Sequence, residues 1–555
     1  MIKNLFVLLL IGTSLQAISQ DCSHSQAYEE LDVNNVKAGL RVAGDLWWDG
    51  SGQGRYIVPK AATPSAEVSA IFSGGLWLAG TDPAGNLKAA ITQYPSGNVT
   101  DYWAGPLDED GESTAENCAN WDRFFKVNKS KVNDHRQDFA ADGDIDLKRE
   151  QIYSWPANGN QYFEEYNGFE LPLDTDLAPF KDKNVNGIYE PDLGDYPLIK
   201  GDQSIWWVFN DAGNDHLESG ADKLQAEIQV MAYAQKSDKA SINNTTFYEY
   251  KIINKGVDDI VDFRIGLWVD PDLGCYLDDF IGYDTISNTA FIYNEDALDG
   301  TIGDVCPGGV NTYFDKIPMV GITILNSSFA HEENTCFAYI NASSANEPPG
   351  TWVPNNAQMA YNVLRGLWRD GTPITNGGLG YNPGSTDTVK IAFPGDPSDP
   401  DGWSLCTVDP PFQDRRFVLS TGGFTLPPGI SASITYAVVT VEDVPHPCPS
   451  LEPLREVVEE VRGCLILNNE NVTPETASAF TLFPNPASGE FTLSFEQYFS
   501  GGIQLLDIAG RVLLQQNIGS TQEISINESL ATGLYIIKAT DNTGRTSSQK
   551  MVINQ

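Results

Sequence analysis

Basic side chains are scarce in this sequence. Against 75 aspartates and glutamates stand 34 lysines and arginines, which gives the 555-residue chain a formal net charge of −41 at pH 7. Nucleic acids and anionic membrane surfaces are bound through positive patches, so this shortage argues against both as partners. The excess of carboxylates favours bound cations, with solubility alone as the alternative.

Histidines and familiar catalytic motifs are also rare. Only five histidines occur, which leaves few general bases, and we interpret His135 and His216 as surface residues or satisfied polar groups. The sequence has no Gly-x-Ser-x-Gly elbow and no Gly-x-x-x-x-Gly-Lys phosphate loop, and His331 lacks the second histidine of a zinc protease motif. A glycosidase needs only two suitably spaced carboxylates, a condition that 75 acids neither establish nor exclude.

Long apolar runs are confined to the N-terminus. Residues 1–19 combine Lys3 with an apolar stretch that ends at Leu15 and with the small residues Ala17 and Ser19. This pattern predicts a secretory signal peptide that is cleaved after Ala17 or Ser19. No other run of about 18 apolar residues occurs, so we expect no transmembrane segment in the mature chain.

The eight cysteines all follow the predicted signal peptide. An even number in an exported chain indicates disulfides, and no Cys-x-x-Cys motif or Cys/His cluster indicates zinc. Cys448 and Cys464 flank a short helical pattern at 454–462, which leads us to expect that they pair. Cys275 with Cys306 is a second expected pair.

The composition predicts mostly β-structure. Glycine, proline and aromatic residues are abundant, which is typical of strands joined by many turns, and one short helix is expected near Leu454. Four strands have the clearest patterns: Lys223–Ala234, Thr245–Asn254, Val261–Val269 and Ile430–Val441. The last strand alternates at first and is then continuously apolar, as in a buried sandwich strand, and a Pro-Pro-Gly turn precedes it.

Five segments follow from these patterns. After the signal peptide we predict an N-terminal β-rich region that ends in a calcium-type loop, a β-sandwich-like region with acidic loops, a polar linker and a C-terminal domain. Their boundaries are 1–19, 20–200, 201–464, 465–478 and 479–555. The fold class is therefore mainly β, a multidomain set of β-sandwiches with calcium-binding loops.

One acidic loop has the spacing of a calcium site. Oxygen-bearing side chains alternate before Gly187, as in the first half of an EF-hand-type loop, where glycine permits a sharp turn. The twelfth position is Leu193, so Asp192 or Asp195 would have to complete the coordination shell. The loop is similar to those of dockerin or thrombospondin repeats, and the alternative is an Asx-rich surface turn. The expected Ca²⁺ ligands are Asp182, Asn184, Asn186, Ile188 (through its carbonyl), Glu190, Asp192 and Asp195.

A second acid cluster follows the apolar strand that ends at Val269. Converging carboxylates repel one another unless a cation neutralises them, so we expect a second calcium there, with a solvated loop as the alternative. The expected ligands are Asp270, Asp272, Asp278 and Asp279. Two weaker candidates are the Asp/Gly-rich segments 45–56 and 142–146.

All twelve tryptophans lie between Trp47 and Trp403, and they include the pairs Trp47-Trp48 and Trp206-Trp207. Because neighbouring residues of a strand face opposite sides, one tryptophan of each pair is expected to point outward or into a second layer. Exposed rings would suit a carbohydrate binder. The alternative is that a large sandwich buries them.

The C-terminal segment carries an ordered set of motifs. Phe-Pro-Asn-Pro, Leu-Asp-Ile-Ala-Gly-Arg, Ala-Thr-Gly-Leu-Tyr and a final Lys-Met-Val-Ile follow one another from residue 479 onward. This order resembles the type A C-terminal sorting domain of the type IX secretion system of Bacteroidetes-type bacteria. The motif residues are Pro484, Asn485, Pro486, Asp507, Gly510, Arg511, Gly533, Tyr535 and Lys550.

That resemblance implies an immunoglobulin-like sandwich, recognition by the type IX machinery, transport across the outer membrane, and a secreted or cell-surface location. The preceding chain resembles large surface proteins of the same bacterial group, a resemblance that implies no activity. We therefore expect a calcium-stabilised adhesin or envelope component, whose ligand is a surface polysaccharide or protein. A secreted polysaccharide hydrolase is the alternative, and a coat or filament subunit is a third interpretation.

Overall fold

The computed structural model divides the chain into two compact units, with the division between Arg462 and Gly463. We call the first unit the body and the second the C-terminal unit. The described residues are 21–95, 99–172, 176–300, 306, 309–327, 335–342, 347–410, 413–469, 480–484, 487, 490–507, 512–527, 530, 533–541 and 546–553. The predicted signal peptide and most of the predicted linker lie outside them.

Antiparallel strands dominate the described chain, which confirms the mainly β fold class. Before residue 200 they are β1 (Tyr28–Leu31), β2 (Lys37–Arg41), β3 (Asp45–Leu46), β4 (Tyr56–Ile57), β5 (Ser69–Ile71), β6 (Ser73–Thr81), β7 (Leu87–Ala90), β8 (Trp103–Ala104), β9 (Phe125–Asn128), β10 (Phe180–Lys181) and β11 (Tyr196–Pro197).

The remaining strands of the body are β12 (Gln203–Asn210), β13 (Ala226–Ala234), β14 (Thr246–Asn254), β15 (Ile260–Asp270), β16 (Asp279–Asp284), β17 (Thr289–Asn294), β18 (Met319–Ser327), β19 (Cys336–Asn341), β20 (Ile374–Thr375), β21 (Thr388–Val389), β22 (Arg415–Leu426) and β23 (Ser431–Val441).

Two large sheets form the centre of the body. The first has the order β19-β22-β15-β6-β3-β2-β4-β5, with β1 beside β2 and β7 beside β6. The second has the order β16-β17-β18-β23-β14-β13-β12-β8, with β9 beside β12. Strands from both sides of residue 200 contribute to each sheet, so the boundary predicted there runs through shared sheets.

Aromatic side chains join the two sheets. Trp47 Nε1 donates to the hydroxyl of Tyr248 on β14 over 2.8 Å, and the hydroxyls of Tyr56 on β4 and Thr246 on β14 are 3.0 Å apart. Both predicted tryptophan pairs are buried, with at most 5% of any of the four side chains exposed. Their rings therefore fill the packed layers, as the alternative interpretation expected.

The predicted strands closely match the structure. β23 lies inside the second sheet between β18 and β14 and is buried along most of its length, in agreement with its continuous apolar stretch. The Pro-Pro-Gly turn connects β22 to β23, with Gly429 at φ +71°. A positive φ is easily adopted only by glycine, so the turn needs that residue.

Helices are more numerous than the sequence predicted. The described helices are α1 (Ala115–Trp121), α2 (Lys129–Asp142), α3 (Glu150–Tyr153), α4 (Phe163–Asn167), α5 (Ala240–Asn243), α6 (Ala357–Leu364), α7 (Leu405–Val408) and α8 (Glu452–Asn469). α2 has no apolar stripe, because it buries only Val132 and His135, and periodicity therefore did not reveal it. The candidate segment 142–146 is the end of this helix, where Gly143 N donates to Phe139 O.

Both histidines singled out in the sequence are buried. His135 Nε2 lies 3.0 Å from Asp195 O. The two ring nitrogens of His216 lie 2.7 Å from Ala89 O and 2.6 Å from Asp211 O, and its ring stacks on Trp103. The surface interpretation is wrong for both, and His216 is a satisfied polar group.

The described disulfides are Cys22–Cys118, Cys275–Cys306 and Cys406–Cys448. The expected pair Cys275–Cys306 is confirmed, whereas the expected pair Cys448–Cys464 is wrong. Cys464 lies on α8, 12 residues after the first residue of that helix. Cys448 is bonded to Cys406 instead, so it is not available to Cys464.

The C-terminal unit is a small antiparallel sheet. It contains β24 (Phe480–Phe483), β25 (Glu490–Asp507), β26 (Val512–Asn527), β27 (Gly533–Asp541) and β28 (Thr546–Ile553). The order is β24-β25-β27-β28, with β26 beside β25. Its own core includes Phe491, Leu505 and Ile537, each fully buried. No helix of the described residues is both long and apolar enough to cross a membrane.

Candidate ligand pocket and calcium loop

A pocket of about 840 Å³ lies in the body, where β15 ends and β22 begins. Its lining combines aromatic rings with acidic side chains and one arginine, and we call it the acidic-aromatic pocket. Its defining residues are Trp48, Phe72, Tyr94, Asp270, Asp272, Asp414 and Arg416. A pocket of this size is typical of small-ligand sites.

Strand register brings distant residues together in this pocket. On the antiparallel strands β15 and β22, Val269 is opposite Phe417, so Asp270 and Arg416 adjoin that pair. Arg416 Nε lies 3.1 Å from Asp270 Oδ1 and donates to Tyr94 Oη over 3.0 Å. The hydroxyl of Tyr94 donates in turn to Asp270 Oδ2.

The arginine is shared between two carboxylates. Arg416 Nη2 donates to Asp414 Oδ2 over 2.8 Å, in addition to its contact with Asp270. Burial raises the pKa of Asp270, and the nearby guanidinium opposes that rise. This arrangement holds a buried carboxylate beside a fixed positive charge at the base of the pocket.

Asp272 differs from the other two acids. No hydrogen bond or ion pair reaches its carboxyl group from the described residues, although it is only partly exposed. Burial raises its pKa well above the ordinary value, and the negative charges of Asp270 and Asp414 raise the pKa further. Asp272 is therefore a carboxyl that lines the pocket without a hydrogen bond or ion pair from the described residues.

Three rings form the aromatic side of the pocket. The ring centroid of Tyr94 lies 5.9 Å from that of Trp48 and 6.0 Å from that of Phe72, both edge-to-face. Tyr94 also contacts Trp268 of β15 at 5.0 Å, and Trp48 Nε1 donates to Asp45 Oδ2 over 2.6 Å. These contacts fix the rings, so the pocket presents a preformed apolar surface.

Four oxygen-bearing side chains of the predicted calcium loop form hydrogen bonds within the loop. The carboxylate of Asp182 accepts from Gly187 N over 2.7 Å and from Val185 N over 2.5 Å. Glu190 Oε2 accepts from the amides of Asn184 at 2.9 Å and Asn186 at 2.6 Å. The predicted contribution of Ile188 is its carbonyl, and its amide donates to Asn186 Oδ1 over 2.8 Å.

The structure separates the two aspartates that could complete this loop. Asp195 is fully buried and its two oxygens accept from Lys183 N and Glu190 N, each over 2.8 Å. Burial raises the pKa of Asp195, and the carboxylates of Asp182 and Glu190 add to the rise. Asp195 thus faces the other acids of the loop.

Asp192 is directed away from the loop. Its carboxylate accepts from the hydroxyls of Tyr153 and Tyr162 and lies 3.7 Å from Lys148 Nζ. Burial by itself would raise the pKa of Asp192, but these three groups outweigh burial and hold the pKa below its usual value. Its role is a contact with the neighbouring helices.

The four acids predicted to share a second calcium fall into two groups. Asp270 and Asp272 line the pocket, whereas Asp278 and Asp279 accept from Gly300 N and Leu273 N, each over 2.9 Å. Asp299, which the sequence analysis missed, interacts with the second pair and accepts from Cys275 N over 2.8 Å. A signal was present, because Asp299 follows the acids at 295 and 296.

The described residues were compared with the arrangement that a metal site built from acidic, histidine or cysteine side chains requires. Among the described residues, no group of three or more such side chains is arranged to hold a metal ion. The ligand set predicted for the loop at 182–195 also contains asparagine amides and a backbone carbonyl, which such a group does not include. Oxygen donors of this kind are those that calcium prefers.

The sorting motif is partly visible in the C-terminal unit. Asp507 on β25 is opposite Tyr535 on β27, and Gly533 and Lys550 lie on the neighbouring strands β27 and β28. Pro484 follows β24. Asn485, Pro486, Gly510 and Arg511 lie outside the described residues.

Comparison with known families identifies this unit. Residues 481–554 match the family described as the secretion system C-terminal sorting domain. The C-terminal unit is thus a type IX sorting domain, as its motifs predicted, and it marks the chain for export to the outer membrane or cell surface by the type IX machinery.

Comparisons of the whole chain add little. No curated protein matches the sequence. CopC from Methylosinus trichosporium OB3b is 18% identical over 14% of this chain and 91% of CopC, with a TM-score of 0.12. A polysaccharide lyase is 8% identical over 59% of this chain and 34% of the lyase, with a TM-score of 0.17.

Dimeric latent PorU from Porphyromonas gingivalis is 9% identical over 63% of this chain and 31% of PorU, with a TM-score of 0.13. The chain therefore spans about a third of the length of the lyase and of PorU. TM-scores this low do not establish a shared fold.

Proposed function

We propose that the chain is a secreted, calcium-stabilised binding protein of the cell surface, and that the acidic-aromatic pocket receives its ligand. The observation that carries this proposal is the pocket itself, which is preformed and belongs to an exported chain. Its rings and charged groups come from the ends of β15 and β22 and from loops next to the first sheet. A rigid sheet with functional side chains at the strand ends is a common design for binding sites.

The proposed ligand is a surface polysaccharide. Phe72 and Tyr94, which are partly exposed, offer apolar ring area, while the carboxylates and Arg416 can exchange hydrogen bonds with hydroxyl groups. This combination suits sugar rings, which are apolar on their faces and polar at their edges. A protein ligand would be expected to bury a wider and flatter surface than one pocket provides.

Electrophoresis of the full chain through gels that contain xylan, alginate or chitosan tests this proposal. Val310 lines the pocket and is 41% exposed, so Val310→Trp should obstruct the entrance without disturbing the core. Val257→Trp is the matched control, because Val257 is 84% exposed and lies outside the pocket.

We expect at least one polysaccharide to retard the native chain and the Val257→Trp variant, and to retard the Val310→Trp variant less. Equal retardation of both variants, or none of the native chain by any of the three, would contradict the proposal. The paired variants matter because a chain with a net charge of −41 is retarded by chitosan through charge alone.

Calcium is the second part of the proposal. The loop from Asp182 to Asp195 supplies oxygen donors at alternating positions, and Asp195 faces the other acids of the loop. A bound cation would offset the repulsion among these carboxylates and thereby stabilise the body.

A hydrolase is the second candidate, and one observation favours it. Asp270 and Asp272 both line the pocket; burial raises the pKa of each, and only Asp270 has a guanidinium in contact with it. Two carboxyls with different protonation are the requirement for acid–base cleavage of a glycosidic bond. Release of reducing ends from a retained polysaccharide, lost in Asp272→Asn, would favour this candidate over simple binding.

A further inference from the structure

The charges around the acidic-aromatic pocket do not balance. Arg416 lines the pocket, and its guanidinium is already paired with Asp270 at 3.1 Å and with Asp414 at 2.8 Å. One guanidinium is therefore shared by two carboxylates, and Asp272 is a third acid in the same lining.

The other charged residues of the lining are paired elsewhere. Arg55 Nη2 lies 3.0 Å from Asp49 Oδ2 and also donates to Gln53 Oε1. Glu67 Oε1 lies 2.5 Å from Lys37 Nζ. Neither pair leaves a cation that could neutralise Asp272, whose carboxyl receives no hydrogen bond or ion pair from the described residues.

The aromatic side of the pocket adds a second feature. Phe72 and Tyr94, which are partly exposed, line the same cavity as Asp272, and behind them the buried ring of Trp48 already holds the guanidinium of Arg41 at 5.7 Å. Aromatic faces attract organic cations through their quadrupole, and a carboxylate beside them supplies the counter-charge. A protonated amine would interact with both the aromatic rings and the carboxylate, whereas a neutral sugar hydroxyl carries no charge for either interaction.

From this geometry we infer that the ligand carries an ammonium group, which binds between Asp272 and the aromatic rings. The inference rests on the proposed function and refines it: the polysaccharide is one with free amino groups on its sugars. The ammonium group then supplies the positive charge that the lining lacks beside Asp272.

Two oligosaccharides that differ only in this group provide the test. Titration calorimetry of the full chain at about 0.15 M salt, where surface charge is screened beyond about 8 Å, compares the tetramer of glucosamine with the tetramer of N-acetylglucosamine. We expect the amine form to bind at one site at least about tenfold more tightly than the acetylated form, a difference of about 1.4 kcal/mol.

Variants at Asp272 assign the preference to this carboxyl. Asp272→Asn should reduce the preference for the amine form to less than about threefold, or under about 0.7 kcal/mol, whereas Asp272→Glu should retain part of it. Asp259→Asn is the matched control, because it removes an equal charge from an exposed turn outside the pocket. The intrinsic tryptophan emission of each variant reports whether it is folded.

Four outcomes of the calorimetry would contradict the inferred ammonium site. Equal affinity for the two tetramers, tighter binding of the acetylated form, no binding of either, or an unchanged preference in a folded Asp272→Asn variant would overturn the inference. If the calorimetry overturns the inference but xylan or alginate still retards the chain in the gel experiment, the proposed binding of a polysaccharide remains supported. Loss of both retention and oligosaccharide binding would remove the proposed function as well.

Discussion

Removal of calcium should lower the thermal midpoint of the body through the loop from Asp182 to Asp195. A ligand present at a hundred times its dissociation constant stabilises the folded state by about 2.7 kcal/mol. Unfolding of roughly 440 residues has an entropy of about 0.9 kcal/mol per kelvin, so one calcium ion should shift the midpoint by about 3 °C.

The twelve tryptophans provide the assay. All of them lie between Trp47 and Trp403, inside the body, so tryptophan fluorescence of the full chain follows the body and not the C-terminal unit. Melting is compared in millimolar calcium and in chelator, and the measured quantity is the difference between the two midpoints.

Two aspartates only three residues apart serve as test and control. Asp195→Asn should abolish the difference in midpoint because Asp195 faces Asp182 and Glu190. Asp192→Asn should lower both midpoints and keep the difference, because Asp192 contacts tyrosine hydroxyls instead. Equal midpoints for the native chain in calcium and in chelator, or loss of the difference in Asp192→Asn alone, would refute the reasoning.

Three further predictions concern buried groups of the body. Burial raises the pKa of Asp299 to about 7, so its protonated form stabilises the fold at acidic pH and that contribution is lost as the pH rises through 7. In denaturant titrations, the stability of the native chain relative to Asp299→Asn should therefore fall by up to about 4 kcal/mol between pH 4 and pH 8, and a constant difference would contradict this. Peptide mapping of the unreduced chain should show Cys448 linked to Cys406, and any other partner would be a contradiction. Gly274→Ala should cost about 2 to 4 kcal/mol in the same titrations, because φ is +79° and the new Cβ would lie 1.9 Å from Asp299 Oδ2, whereas Gly429→Ala at φ +71° meets no atom within 4 Å and should cost about 1 kcal/mol.

Sequence patterns predicted those strands and turns whose side chains have the same kind of environment along the whole element. β23 could be recognised because burial on both faces requires a continuous apolar run, and the turn before it carries its own glycine. α2 could not, since its contacts with the body involve only two buried side chains and leave no periodic signal.

The sequence predicted the acids of the candidate pocket but not its arginine, and strand register explains the difference. Asp270 and Asp272 drew attention because acids that directly follow an apolar strand stand out in the sequence. Their partner Arg416 lies about 145 residues further along the chain and reaches them only through the pairing of β15 with β22. Nothing local to Arg416 marks it as part of a site.

The choice between Asp192 and Asp195 shows a similar limit. Both follow the glycine at distances that a calcium loop tolerates, so spacing alone left the alternatives open. Asp192 lies in the short helical turn Pro191–Leu193, and two tyrosine hydroxyls donate hydrogen bonds to its carboxylate. These contacts direct its side chain away from the loop. Those tyrosines lie 30 or more residues away, at positions 153 and 162.

The position of β23 between β18 and β14 has a consequence for the life of the chain before export. The centre of the second sheet stays open until residue 441 has been synthesised, and β14 and β18 then present unpaired backbone edges. Pairings between such remote segments form slowly, and exposed edges invite aggregation. A chain truncated anywhere before β23 would therefore be a substrate for proteases, and not a shorter version of the same protein.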